Sequence, residues 1–205
     1  MSQPAAMAHE DKDQHPLKPA SRVRAPSPPP PVFRPLTGSE RFSYYLHHTF
    51  GPLAIARSTA WAGINQAADT PSEWGQGMAG YGRRLADKFG QHAIKDSIQD
   101  GMAALLHEDP RYIPSRRTGI GSRTAYAVEH AFLVYRNDGI TKFADSHLIA
   151  AFGTAAISRT WYPQSHRTVG DTLESGAISF GIDAGMSVAR EFWPDIQRRI
   201  GHLFH

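Results

Sequence analysis

The sequence predicts an all-α protein, a compact bundle of about six or seven helices behind a proline-rich tail. Three observations predict it. From residue 39 onward apolar residues recur at three- and four-residue spacing, and no segment sustains a two-residue alternation bounded by turn residues. Capping residues and breakers cut that pattern into helix-sized pieces. Small residues recur four apart on several pieces, the spacing at which two helix backbones approach closely.

Residues 1–37 read as a disordered tail and residues 38–205 as the helical domain. Pro26, Pro28, Pro29, Pro30, Pro31 and Pro35 fix φ and remove backbone donors, so the tail can form neither helix nor sheet and reads as an extended spacer. Its basic residues (Lys12, Lys18, Arg22, Arg24, Arg34) outnumber its acidic ones (Glu10, Asp11, Asp13), which leaves the helical domain almost neutral. Ala6-Met7-Ala8 spells a cleavage site, but no apolar run precedes it, so no signal peptide is expected.

The elements follow in order. Ser39 is the expected N-cap of a first helix carrying Phe42, Tyr45 and Leu46. Gly51 breaks it, and Pro52 opens a second helix to about residue 68, with Arg57 its one charge. Asp69-Thr70-Pro71 separates this from a long helical stretch over residues 72–107, which Asp109-Pro110 ends because a residue before proline avoids the helical region. Residues 113–122 form a loop, and Ser122 or Thr124 starts a helix to Tyr135. Asn137-Asp138-Gly139 is a turn signal. Helices are expected over 141–160 and 168–191, with a short one after Pro194.

Composition narrows the function. The 205 residues include no Cys, which excludes disulfide frameworks, thiolate metal sites and cysteine nucleophiles. A mean hydropathy of −0.42 and charge-free stretches no longer than 42–56 and 146–158 exclude a conventional membrane span. The 4 Trp, 7 Tyr and 10 Phe exclude a wholly disordered chain. A net charge of +3 is too small to imply a nucleic-acid partner.

Candidate chemistry gathers at His107, Glu108, Asp109 and Arg111. These types can bind metal or exchange protons, but consecutive residues on a helix point about 100° apart, so a helix C-terminus with a tied loop is the simpler reading. Asp145-Ser146-His147 and Glu129-His130 are further carboxylate–imidazole neighbours, able to converge with His92, His47 and His48. Neither spells the Glu-x-x-His of di-iron bundles. Gly75-Gln-Gly77-Met-Ala-Gly80 spells a dinucleotide fingerprint but follows no strand, so it reads as helix packing. No cofactor is implied. Trp161-Tyr162-Pro163 and Phe192-Trp193-Pro194 place aromatic pairs at expected helix ends, suiting a membrane interface or the cover of a core. The ladders Gly82, Ala86, Gly90 and Ala177, Gly181, Gly185, Ala189 are expected to pack against another helix, as are Ala54, Ser58, Ala62 and Ala93, Ser97, Gly101.

The segments Ala62-Gly63-Ile64-Asn65-Gln66, Gly77 to Arg83, Leu106-His107-Glu108-Asp109-Pro110-Arg111-Tyr112 and Tyr162-Pro163 resemble a family of uncharacterised bacterial proteins of acidobacterial type. The resemblance spans most of residues 42–193. It implies a place in the cell envelope and supplies no catalytic residue. The expected function is a non-enzymatic envelope protein with a scaffold or membrane-contact role, its partner a membrane surface or an envelope protein. The alternatives are a cytoplasmic location and a metal-binding or hydrolytic bundle using His107, Asp109 and His147.

Overall fold

The computed structural model describes residues 34–203, and within them the chain is mostly helical. Most of the expected tail lies outside the described residues. The first helix, α1 (Gly38–Phe50), is capped by Thr37 and not by Ser39: the Thr37 hydroxyl accepts from the Glu40 N–H while the Glu40 carboxylate accepts from the Thr37 N–H. Gly51 separates it from α2 (Pro52–Ala67), which opens on Pro52 as expected. A single 3-10 turn, Ser72–Trp74, precedes α3 (Gly77–Leu105), so the long expected helix starts later. Next come α4 (Ile120–Phe132), β1 (Leu133–Tyr135), β2 (Thr141–Phe143), α5 (Asp145–Ser158), a second 3-10 turn at Gln164–His166, and α6 (Val169–Leu203).

The hairpin corrects the all-α expectation. β1 and β2 pair antiparallel, Leu133 with Phe143 and Tyr135 with Thr141, around the turn at Asn137-Asp138-Gly139. Three residues per strand are too few to show a two-residue period, so only the turn was visible in the sequence. The break expected at Pro194 is also corrected, because α6 runs through it. Proline removes one ladder bond, and Arg123 of α4 braces the helix there. Its guanidinium reaches the Glu191 carboxylate at 3.0 Å and Asp195 at 2.5 Å, one turn apart on either side of Pro194.

α3 packs against α1, α2 and α5, while α6 packs against α4 and α5. The contacts between them are made by small or polar side chains. Ala54, Ser58 and Ala62 bury one stripe of α2, as their spacing predicts, and Ala150, Ala151, Thr154, Ala155 and Ser158 do the same for α5. Arg84, Asp87, Asp96, Glu108, Asp109 and Glu191 are also buried. Large aliphatics lie outside: Leu53 is 75% exposed, Ile64 55% and Ile178 54%, where Ala62 is 0%.

This inversion overturns the packing role expected of the two glycine ladders. Gly82, Ala86, Ala177, Gly181, Gly185 and Ala189 are exposed, and a Cβ built on Gly82, Gly90, Gly181 or Gly185 meets nothing within 4 Å. A helix offers a limited stripe to its neighbours. On α6 that stripe is taken by Gly176, Asp183, Ser187 and Glu191, of which Asp183 is bonded by Lys95 and Glu191 by Tyr112. The ladder beginning one residue later is rotated about 100° away and left outside. Ser97 and Gly101 are exposed likewise. Close backbone approach occurs instead at Gly80, whose Cβ would lie 2.1 Å from the Gly75 carbonyl oxygen.

Gly181→Ala and Gly185→Ala should therefore each stabilise the protein by about 0.5–1 kcal/mol through helix propensity. Gly80→Ala should destabilise it by about 1–3 kcal/mol through overpacking. Denaturant unfolding of the three variants checks both signs; a loss of stability at both ladder positions would restore them as a packing face.

Candidate functional site

The cluster at residues 107–111 builds a junction and does not converge on a shared reactive centre. α3 ends in a Schellman turn. His107 takes a left-handed conformation (φ 57°), its N–H donates to Ala104 O at 3.4 Å, and the Glu108 N–H donates to Ala103 O at 2.8 Å. His107 is thereby turned outward, while Glu108 and Asp109 are carried into the interior. Glu108 accepts from the Ser146 hydroxyl and lies 2.9 Å from Lys142 Nζ. Asp109 accepts from both Nε (2.9 Å) and Nη2 (2.6 Å) of Arg111. These contacts tie the end of α3 to the hairpin and the start of α5. His147 lies in a different place, in the cavity described below. Among the described residues no three His, Asp or Glu side chains group as metal ligands, which removes the geometry behind the metal reading of His107, Asp109 and His147.

The Gly75–Gly80 run is likewise a structural joint. Gly75 and Gly77 have positive φ (70° and 78°) at the entry to α3. The loop before it is held from inside by Arg84, fully buried, which donates to the carbonyls of Thr70 (3.0 Å), Pro71 (2.8 Å) and Gly75 (2.6 Å) and to Gln66 Oε1 (2.6 Å). Backbone oxygens turned toward a cation make the reverse of a phosphate cradle.

The densest polar assembly joins α1, α2, α3 and α6 through one carboxylate. Asp96 Oδ2 lies 2.9 Å from His48 Nδ1, 3.4 Å from His92 Nε2 and 3.0 Å from the Thr49 hydroxyl. The outer nitrogens of both imidazoles face arginines: Arg190 Nη2 is 3.2 Å from His48 Nε2, and Arg57 Nη2 is 2.8 Å from His92 Nδ1. Guanidinium can only donate. His48 therefore accepts from Arg190 at Nε2 and donates its Nδ1–H to Asp96, whereas Arg57 Nη2 also lies 3.1 Å from His92 Nε2 and so spans both ring nitrogens of His92. Burial presses His92 below the usual histidine range. Burial works against ionised Asp96, but the His48 hydrogen bond and charge, with His92 and Thr49, hold its pKa below the ordinary value. The result is a five-member chain, Arg57–His92–Asp96–His48–Arg190, with two cations sharing one anion.

This chain lines a cavity of about 180 Å³ between the helices. Lys95 enters from α3 and is paired with Asp183 of α6 at 2.7 Å. Lys88 lines it as well and lies 3.3 Å from Asp87. His147 and Thr154 of α5 complete it, and both carry a buried atom without a hydrogen-bond partner, His147 Nδ1 and Thr154 Oγ1. Of the histidines noted in the sequence, His48 and His92 converge. His47 turns away to the Ser43 carbonyl, and His130 stacks on Tyr126 at 3.8 Å. Arg57, Asp96 and Arg190 were missed as site residues. The available signals were the lone charge of α2 and the i, i+4 spacing of His92 and Asp96. No family of proteins, curated protein or solved structure matches this chain.

One turn beyond Asp96, Asp100 is half-buried, and burial with the Asp96 charge pushes its pKa to about 6. A carboxyl whose folded pKa exceeds its unfolded one takes up protons on folding, so its contribution to stability falls as pH rises from about 4 through about 6. Asp100→Asn should equal wild type in stability near pH 4 and exceed it above pH 7. Thermal unfolding of both proteins across that range is the check; a constant difference would show that Asp100 does not titrate as described.

Proposed function

We propose that this protein is a non-enzymatic helical bundle of the bacterial cell envelope that works in contact with a membrane. The observation that supports this reading is the inverted distribution of side chains. In a water-soluble bundle aliphatic side chains fill the interior, because removing them from water is the main favourable term. Here the interior holds alanine, hydroxyl and charged residues, while Phe42, Leu53, Ile64, Ile149, Ile157 and Ile178 face out from α1, α2, α5 and α6. Small residues at helix contacts with polar groups between them are what helices use when the outside phase is apolar. A protein partner would cover one side; outward aliphatics on four helices suit a lipid phase better.

The contact need not be a span. Among the described residues no helix is long and apolar enough to cross a membrane. The 14 residues of α5 and 16 of α2 reach about 21–24 Å, short of the roughly 30 Å hydrocarbon core. A bundle seated in one leaflet, with its apolar sides among the acyl chains, fits the lengths of α2 and α5, while α3 and α6, of 29 and 35 residues, would have to lie oblique to it.

Flotation of the full chain with phosphatidylcholine vesicles tests the reading. The chain should rise with the vesicles. Leu53→Glu and Ile178→Glu should each weaken partitioning about tenfold, since withdrawing one aliphatic side chain from lipid costs at least about 1.5 kcal/mol. Their melting temperatures in the absence of vesicles should stay close to wild type, because neither side chain is in the interior. A chain that stays in the dense fraction overturns the proposal, as does unchanged flotation of both variants.

A further inference from the structure

We infer that the cavity between α2, α3, α5 and α6 is a binding site for a protonated phosphoryl oxyanion: hydrogen phosphate or the head of a phosphate monoester. The inference starts from charge. Arg57, Lys88, Lys95 and Arg190 line the cavity, against the carboxylates of Asp96 and Asp183. Lys95 is satisfied by Asp183, and Lys88 leans on Asp87. Arg57 and Arg190 have no carboxylate within ion-pair reach and meet imidazoles instead. They also repel one another, and burial already presses the Arg57 pKa below that of free arginine. Two half-buried guanidiniums with one shared anion between them leave a positive charge uncompensated, an arrangement that costs stability unless a further anion arrives. Each guanidinium has more donors than its histidine uses, in the fork that suits oxyanions.

The α5 side of the cavity adds the chemical class. Thr154 Oγ1 and His147 Nδ1 are buried without partners, although buried polar groups are nearly always satisfied. The His147 imidazole hydrogen bonds the Ala131 backbone, and burial keeps it neutral. With Nδ1 unpaired, the proton belongs on Nε2, so Nδ1 offers a lone pair and needs a donor. A threonine hydroxyl can donate to an oxyanion; a neutral imidazole nitrogen cannot. It can accept from one that still carries an O–H. Hydrogen phosphate carries that proton near neutral pH, and a phosphate monoester keeps it below a second pKa of about 6, which binding to Nδ1 would raise, whereas sulfate, ionised carboxylates and phosphodiesters do not. A cavity of about 180 Å³ has room for such a tetrahedral group.

The test uses the full chain without vesicles, so it is separate from the membrane reading. Titration calorimetry and thermal shift are run with inorganic phosphate, sulfate, glycerol phosphate and short-chain phosphatidic acid. Phosphate or a monoester should bind and raise the melting temperature, with sulfate at least tenfold weaker. Binding by the free ions identifies a soluble ligand; binding by phosphatidic acid alone identifies a lipid head. Arg57→Met and Arg190→Met should each lose at least tenfold in affinity, the size of one charge-assisted hydrogen bond. Their ligand-free melting temperatures should be unchanged or higher, which a merely structural arginine would not allow. Should either variant fail to fold, Thr154→Val should still weaken binding, and His147→Gln, which adds an amide donor, should narrow the preference for phosphate over sulfate. No binding of any monoester overturns the inference, and so does sulfate binding as tightly as phosphate. Undiminished affinity in the arginine variants shows an adventitious ion only, and overturns it too.

Discussion

The Asp96 carboxylate is the constraint on which the helical arrangement depends. It draws His48 and Thr49 from α1, His92 from its own helix and, through the two imidazoles, Arg57 from α2 and Arg190 from α6. The stripes that meet around it are alanine, serine and threonine, which have little apolar surface to remove from water. Hydrophobic burial is roughly proportional to apolar area, so small-residue contacts specify distance more than they supply energy. What fixes the rotation of each helix is the direction in which its polar groups must point. Losing the Asp96 carboxylate would cost about 3–5 kcal/mol, because the cations gathered around it would stay behind uncompensated.

The same device recurs at the loops. Arg84 of α3 gathers four oxygens of the segment between α2 and α3. Asp87, one turn on, accepts from the Trp161 indole at 2.8 Å and the Tyr162 hydroxyl at 3.0 Å, and so holds the end of α5. Glu191 of α6, fully buried, accepts from the Tyr112 hydroxyl and from the N–H and hydroxyl of Ser115, which fixes the loop before α4. Burial opposes its ionisation, yet these hydrogen bonds and Arg123 hold its pKa below the usual glutamate value. Each loop is therefore anchored by one charged residue of a long helix, and α3 and α6 act as the two posts of the fold. Gln66, Tyr162 and Tyr112 are among the residues these anchors hold.

Much of the architecture was legible because it is written in local chemistry. Pro52 at a first helical position, the turn at Asn137-Asp138-Gly139 and the stop after α3 need only neighbouring residues to act. The stripe of α2 was legible too, since its small residues share one face with a single charge. α3 and α6 were not. Each carries both a glycine ladder and a polar stripe about 100° apart, and periodicity alone gives no preference between them. The choice was made by Asp183 and Glu191, whose partners lie far along the chain on α3, on α4 and in the loop before α4. The relay was hidden for the same reason: His48, Arg57, His92, Asp96 and Arg190 become one unit only when four helices meet.

The polar interior and the aliphatic exterior are two sides of one solution. A helix that turns its small and polar residues toward the centre must turn its leucines and isoleucines away from it, and α2, α5 and α6 each do so. In water this arrangement loses twice, since charges are desolvated and aliphatics remain hydrated. Against an apolar phase both terms change sign: the exterior is satisfied by lipid, and the charges have no better place than one another. The exposed ladder at Ala177, Gly181, Gly185 and Ala189 fits that setting, where a glycine face costs less because close approach of acyl chains or of another helix can fill it. The interior charges then need not be fully balanced by protein alone. The one excess cation among Arg57, Asp96 and Arg190 is the place where the bundle is open to a ligand from outside the chain.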